Sequence, residues 1–130
     1  MPRRAAALTL LLAAAFLPTA PASAESARSL TAAERGVDPG AVCFHTEPGG
    51  DGASWCYRPS WGYADVPEPL HNNAASFESD ADVTVYAIDW VSPSECHYQS
   101  IWPGDLSTNW EWRNKLDAVQ SERPTDCQQG

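Results

Sequence analysis

Apolar and polar residues alternate along several short segments of this chain, and the alternation predicts β-strands. The clearest case covers 82–90, where most side chains on both faces are apolar. The two faces carry Val83, Val85 and Ala87 on one side, and Thr84, Tyr86 and Ile88 on the other. Because both faces are largely apolar, we expect a central strand that is covered on each side.

Shorter extended segments predict two hairpins. Residues 41–46 lead into a polar, glycine-rich turn at 47–52, and residues 54–58 return from it. A second hairpin joins 82–90 to 95–102 through a short loop. Short strands, polar turns and abundant aromatic residues together predict an all-β sandwich.

An internal repeat supports this architecture. At an offset of 42 residues, 42–45 aligns with 84–87, and 72–77 aligns with 114–119. Each unit contains a hairpin, a long connection with tryptophan, and a turn led by asparagine that enters a last strand. Four strands with one long connection follow the order of a Greek key, and we expect two such units to close one sandwich.

The first 24 residues have the three-part build of a secretory signal peptide. Two arginines precede an apolar run at 5–17, and small residues at 22–24 supply a cleavage site. We therefore expect a secreted, extracellular protein, and no later run approaches the ~20 apolar residues of a membrane span. Residues 25–40 lack aromatic side chains and predict a flexible leader, whereas 41–130 are predicted to form one domain.

The net charge of the chain excludes some classes of binding partner. Two of the eight basic residues precede the predicted cleavage point and all 17 acidic residues follow it, so the exported chain is strongly acidic. An acidic surface repels nucleic acid and anionic membranes, and we expect neither as a partner. We expect a monomer whose net charge keeps it soluble outside the cell.

Four cysteines predict two disulfides, as is usual in a small exported domain. They are Cys43, Cys56, Cys96 and Cys127. A zinc site is the alternative, but the sequence has no C-x-x-C pair. Of the three possible pairings, we predict Cys43–Cys56 and Cys96–Cys127, because Cys43 and Cys56 lie opposite each other on the first predicted hairpin.

Catalytic chemistry has little support in the sequence. No histidine of the chain belongs to a zinc-protease motif, H-E-x-x-H, and none lies beside a nucleophile elbow, G-x-S-x-G. The three histidines are His45, His71 and His97. Cysteines oxidised to disulfides leave no thiol nucleophile. We therefore expect a protein that is not an enzyme and uses no cofactor.

Three segments of the chain resemble a known family of inhibitors. They are Ala41-Val-Cys-Phe-His45, Trp55-Cys-Tyr57 and Asn72-Asn-Ala-Ala-Ser-Phe-Glu-Ser79. Together they are similar to the exported actinobacterial proteins typified by the streptomycete metalloproteinase inhibitor. The resemblance covers 41 to about 127, and it implies a βγ-crystallin-like sandwich of two Greek keys stapled by two disulfides. It also implies a secreted peptidase inhibitor whose partner is an extracellular protease, above all a metalloprotease.

The turn at 72–76 is a candidate metal site. Asn72, Asn73 and Ser76 match most of the calcium-binding turn of microbial βγ-crystallins, but Phe77 replaces its last serine. One interpretation is a weak calcium site; the other, which we favour, is that Asn72 and Ser76 hold the turn by hydrogen bonds to backbone. Calcium binding would support the alternative function, a non-inhibitory βγ-crystallin-like module for calcium or a surface ligand. A secreted toxin or enzyme is a third possibility.

Residues 89–95 have the features of a rigid inhibitory loop, because Pro93 stiffens the segment and Cys96 holds its end. The candidate residues are Asp89, Trp90, Val91, Ser92 and Pro93. A stiff loop pays a smaller ordering cost when it binds, and Trp90 and Val91 suit a hydrophobic subsite of a metalloprotease. An ordinary hairpin loop is the alternative.

Six tryptophans lie within the predicted domain. Core filling is the ordinary explanation for most of them, and the alternative is a sugar- or protein-binding patch. Trp90, beside Asp89 at the mouth of the predicted loop, is the tryptophan that we expect to be exposed.

Overall fold

The computed structural model describes residues 36–130, within which the chain forms nine strands and two short 3-10 turns. The turns are Pro48–Gly50 and Pro59–Trp61. The strands are β1 (Val42–His45), β2 (Ser54–Tyr57), β3 (Ala64–Asp65), β4 (Ser76–Ser79), β5 (Val85–Ser92), β6 (Glu95–Ile101), β7 (Leu106–Ser107), β8 (Ala118–Gln120) and β9 (Gln128–Gln129). No helix among these residues is long and apolar enough to cross a membrane.

The strands form two sheets that exchange one strand each. The four-stranded sheet has the order β2-β1-β4-β7, and the five-stranded sheet has the order β3-β8-β5-β6-β9. Thus β3 leaves the first unit to pair with β8, and β7 leaves the second unit to pair with β4. The predicted all-β fold of two sheets is confirmed.

Both predicted hairpins are present. Strands β1 and β2 pair antiparallel around the glycine-rich turn, and β5 pairs with β6. The strand predicted at 82–90 begins and ends later, because β5 runs from Val85 to Ser92. Val83 lies outside the strand and is 47% exposed.

The internal repeat holds for the last strand of each unit but slips by one residue in the first. Phe44 pairs with Phe77, and Ala87 pairs with Val119. Because Phe77 and Val119 are 42 residues apart, Phe44 corresponds to Ala87 at an offset of 43. The alignment of 42–45 with 84–87 was therefore wrong by one position, which reverses the face of each side chain.

The main core lies between the two sheets. Val42, Phe44, Phe77, Val85 and Ala87 are buried there. A second buried cluster covers the outer face of the five-stranded sheet; it contains Ile88, Cys96, Tyr98 and Ala118, with Tyr86 and Cys127 partly buried against it. The two clusters confirm that β5 is covered on both faces.

The packed chain begins before the predicted domain boundary. The predicted signal peptide, 1–24, and most of the predicted leader, 25–40, lie outside the described residues. Val37, however, is 3% exposed and packs with Ala41 and Cys43. The Gly40 N–H donates to a carboxylate oxygen of Asp80 at 2.8 Å. Residues 37–40 are therefore part of the fold, which the absence of aromatic residues concealed.

The described residues contain two disulfides. Cys43 bonds to Cys56 across the first hairpin, and Cys96 bonds to Cys127 near the end of the chain. Both predicted pairs are confirmed. The second disulfide holds β9 beside β6 in a parallel pair.

Candidate functional site

Most of the predicted inhibitory loop is strand. Asp89, Trp90, Val91 and Ser92 belong to β5, so the turn itself contains only Pro93 and Ser94. Trp90 pairs with Cys96 and Ser92 pairs with Glu95, with an irregularity between Trp90 and Ser92 at Val91. The segment is therefore the end of a tight hairpin and not a seven-residue loop, because the pairing of β5 with β6 continues to Ser92 and Glu95.

Two links fix this hairpin end to the body of the protein. The backbone N–H of Trp90 donates to Asp117 Oδ2 at 2.7 Å, and Asp117 Oδ1 lies 2.8 Å from His71 Nε2. On the neighbouring strand, Cys96 lies opposite Trp90 and is bonded to Cys127. Both strands are thus held at residues that flank the turn.

The hairpin end exposes two apolar side chains, as expected for Trp90. Trp90 is 40% exposed and Val91 is 50% exposed. Trp90 lines a groove on the outer face of the five-stranded sheet together with Ile88, its neighbour two residues back. Val91 occupies the irregular position of the strand end. We therefore regard Val91 as the side chain that is most open to an approaching protein.

Asp89 carries a charge that the fold disfavours. Burial raises the pKa of the Asp89 carboxyl, and the nearby Asp117 carboxylate raises it further. Lys115 and His97 act in the opposite direction without cancelling this effect. The folded protein therefore holds the proton of the Asp89 carboxyl more tightly than the unfolded chain does.

The groove beside Trp90 brings together residues from distant parts of the chain. Its volume is about 300 Å³, and one wall is formed by the tail segment 122–127. Trp90 Nε1 donates to Tyr63 Oη at 3.1 Å, and the Tyr63 hydroxyl donates to Asp65 Oδ1 at 3.1 Å. Burial is the main cause that raises the pKa of Tyr63, so its hydroxyl keeps its proton at neutral pH.

Tyr63 is the residue that sequence reasoning missed. It is 49% exposed and lies just before β3, a strand of two residues. Its contact with Trp90 depends on β3 crossing to the other sheet, and no local pattern indicates that crossing. The surplus of aromatic residues in the 55–63 segment was the available signal.

The turn at 72–76 is held by hydrogen bonds within the protein. The Ser76 hydroxyl donates to the Glu47 carbonyl at 2.7 Å and accepts from the Gly50 N–H at 3.0 Å. Asn73 Nδ2 donates to the Pro69 carbonyl at 3.3 Å. Asn72 has a positive φ of 53°, which its side-chain type tolerates. The Ser76 hydroxyl therefore bonds to backbone, as the structural interpretation expects, whereas Asn72 contributes its backbone conformation.

A second cavity, of about 230 Å³, lies beside the same turn. His45 lines it with Gly49, Gly50, Ser107 and Thr108. His45 Nδ1 is buried without a hydrogen-bond partner among the described residues. Burial lowers the pKa of His45 against the opposing effects of Glu78 and Asp51, so the ring is neutral at physiological pH.

The six tryptophans divide evenly between packing and exposure. Trp110 and Trp112 are buried and Trp55 is half-buried, whereas three are exposed: Trp61 at 51%, Trp90 at 40% and Trp102 at 61%. The core therefore uses fewer of them than expected.

Comparison with known proteins gives a likeness over part of the chain. No family model matches it, and no curated protein matches it. Among solved structures, the Abundant Perithecial Protein from Neurospora crassa is similar over 65% of this chain, with 21% sequence identity and a TM-score of 0.49. The match spans 39% of the length of that protein.

Proposed function

We propose that the chain is a secreted inhibitor of extracellular proteases, most of all metalloproteases, built on a βγ-crystallin-like domain. The end of the β5–β6 hairpin, with Val91 as its exposed apolar residue, occupies the substrate groove of the protease. The protein itself carries out no chemical reaction. Two disulfides are typical of proteins that fold in oxidising compartments, which agrees with export.

The strand order supports the βγ-crystallin-like part of the proposal. In a Greek key the fourth strand returns to lie beside the first. Here β4 lies beside β1 in one sheet, and β8 lies beside β5 in the other. Two units with this feature agree with the resemblance of the 41–79 segments to the inhibitor family.

The two links that hold the hairpin end are the observation that carries the inhibitory proposal. An inhibitor must fill the substrate groove in one conformation, since ordering a mobile segment weakens binding. The Cys96–Cys127 disulfide and the bond from Trp90 N–H to Asp117 fix both strands beside the turn. A backbone carbonyl of this end would face the open coordination position of a catalytic zinc ion.

Titration of the purified protein into active proteases tests the proposal. We expect stoichiometric inhibition of a thermolysin-type metalloprotease, and much weaker inhibition of subtilisin-type and trypsin-type enzymes. The double variant Trp90→Gly/Val91→Gly and the single variant Val91→Gly should lose inhibition by at least about tenfold in Kd, equal to about 1.4 kcal/mol. Val83→Gly, which changes a valine of similar exposure outside the hairpin, is the matched control and should inhibit normally.

Two results would contradict this proposal. A protein that inhibits none of the three protease classes is not the inhibitor we describe. Full inhibition by a folded Trp90→Gly/Val91→Gly variant would move the contact surface away from the hairpin, with the 104–110 connection as the next segment to test. Calcium-dependent stabilisation without inhibition would favour the binding module.

A further inference from the structure

We propose that the groove on the outer face of the five-stranded sheet binds a neutral saccharide chain. This site is separate from the proposed protease contact, because it is centred on Tyr63 and the tail segment 122–127 and not on Val91. Trp90 forms the boundary between the two. A saccharide site would attach the protein to a glycan surface while its hairpin remains available.

The aromatic part of the groove is rigid and accessible. Tyr63 and Trp90 are each exposed by 40% or more. The hydrogen bonds from Trp90 Nε1 to Tyr63 Oη and from the Tyr63 hydroxyl to Asp65 fix both rings. A sugar ring has an apolar C–H face that packs on an aromatic ring, and side chains that are already fixed lose little entropy when the sugar binds.

The polar part of the groove supplies both donors and acceptors. Its lining side chains include Gln120, Glu122, Arg123, Thr125 and Asp126. Each sugar hydroxyl donates one hydrogen bond and accepts others, so it requires carboxylate or carbonyl acceptors beside N–H donors. Arg123 is held in place by its Nε, which donates to Tyr98 Oη at 3.1 Å. This mixture suits a polyhydroxylated ligand better than an apolar peptide.

The size and charge of the groove select the kind of saccharide. A volume of about 300 Å³ is at the lower end of small-molecule sites, which span roughly 300–1,000 Å³, so the groove suits one or two sugar rings of a chain. The carboxyl groups of Glu122 and Asp126 line it, and Asp65 lies beside Tyr63. Since only Arg123 opposes these charges in the lining, a chain of uronic acids would be repelled.

Calorimetric titration with defined hexasaccharides tests the site. The probes are chitohexaose and cellohexaose, which are neutral, and hexagalacturonate, which is anionic. We expect the wild-type protein to bind at least one neutral probe with a Kd in the millimolar range or tighter, and hexagalacturonate at least about tenfold more weakly. Tyr63→Ala should weaken binding of the neutral probe by about tenfold or more. Trp102→Ala, which removes an exposed tryptophan outside the groove, is the matched control and should bind normally.

Two single variants separate this site from the proposed inhibitory surface. Tyr63→Ala should lose saccharide binding and retain protease inhibition, whereas Val91→Gly should show the reverse. If Tyr63→Ala loses stability, Tyr63→Phe keeps the ring while removing both hydroxyl hydrogen bonds, and it should bind with intermediate affinity. The proposal is overturned if neither neutral probe binds, if hexagalacturonate binds equally well, or if folded Tyr63→Ala binds normally.

Discussion

Gly52 closes the loop between β1 and β2 in a conformation that suits glycine alone. Its φ is +79°, in the left-handed region, and a Cβ at this position would lie 2.3 Å from Thr46 Oγ1. That Thr46 oxygen accepts a hydrogen bond from the Ala53 N–H at 3.0 Å. A side chain at position 52 would therefore both strain the backbone and displace the group that closes the loop.

Comparison of two glycine variants measures this effect. Gly104 has a similar φ of +78° but open space where its Cβ would lie. Gly104→Ala should therefore lower the free energy of unfolding only by the backbone strain, about 1–2 kcal/mol. Gly52→Ala should lower the free energy of unfolding by clearly more, because it adds the clash with Thr46. Urea denaturation of both variants checks the difference, and equal losses would contradict it.

The positions of single residues could be predicted from the sequence where a local pattern was sufficient. The pairing of Cys43 with Cys56 followed from one hairpin, and the exposure of Trp90 followed from its place beside a turn. Tyr63 was not predicted, because its partner is 27 residues away on another strand. Local sequence cannot indicate which sheet a two-residue strand such as β3 will join.

The two hairpins differ in how their turns are held and in the length of their strands. Ser76 ties the turn at 47–50 back onto the sheet, and the residue 42 positions later is Ala118, which has no hydroxyl. The β1–β2 hairpin has four-residue strands and a folded loop, whereas β5 and β6 have eight and seven residues. The longer strands carry the chain out to the exposed end at Val91.

The existence of these elements was predictable from alternation, but their alignment between repeats was not. The slip of one residue between Phe44 and Ala87 arises because the two hairpins have different lengths and both faces of β1 and β5 are apolar. Aligning the two repeats by residue type therefore does not reveal whether a side chain has been placed on the wrong face of its strand. Only the pairing with Phe77 and Val119 fixes the register.

The Cys96–Cys127 disulfide should stabilise the protein more than Cys43–Cys56. Its loop is longer, with a sequence separation of 31 against 13, so the chain-entropy model gives about 4 kcal/mol against about 3 kcal/mol. Replacing Cys96 and Cys127 together by alanine should also release β9, whose end is held by Gly130 N–H donating to the Tyr98 carbonyl. Urea denaturation and amide hydrogen exchange measure the two effects.

Two results would contradict the expected order of the disulfides or the expected release of β9. If replacing Cys43 and Cys56 by alanine costs more stability than replacing Cys96 and Cys127, loop length does not decide the order. If Gly130 remains protected from exchange without Cys127, the β6–β9 pair and not the disulfide holds the tail.

Stability of the whole molecule should depend on the charge of Asp89. Its raised pKa means that the folded protein holds the proton more tightly than the unfolded chain, so this group stabilises the fold at acid pH. The contribution is lost as the pH rises through the folded pKa. Asp89→Asn should therefore raise the melting temperature relative to wild type at pH 7, and by much less at pH 3.5.

An exposed carboxyl group provides the control for this experiment. Asp82 is exposed and lies outside the strands, so Asp82→Asn, which removes a carboxyl group from the surface, is the matched control. Scanning calorimetry at both pH values gives the comparison directly. Equal changes in melting temperature for Asp89→Asn at pH 7 and pH 3.5 would mean that neither burial nor the Asp117 carboxylate disfavours the charge of Asp89 in the folded protein.

The exchange of β3 and β7 between the sheets sets the order in which the protein can be completed during synthesis. When the first half of the chain has been made, β3 has no neighbour, because β8 lies more than 50 residues further along the sequence. The sheet of β1, β2 and β4 likewise lacks its edge until β7 follows. The first half can therefore form its β2-β1-β4 pairing alone, but neither sheet is complete until synthesis has passed β7 and β8.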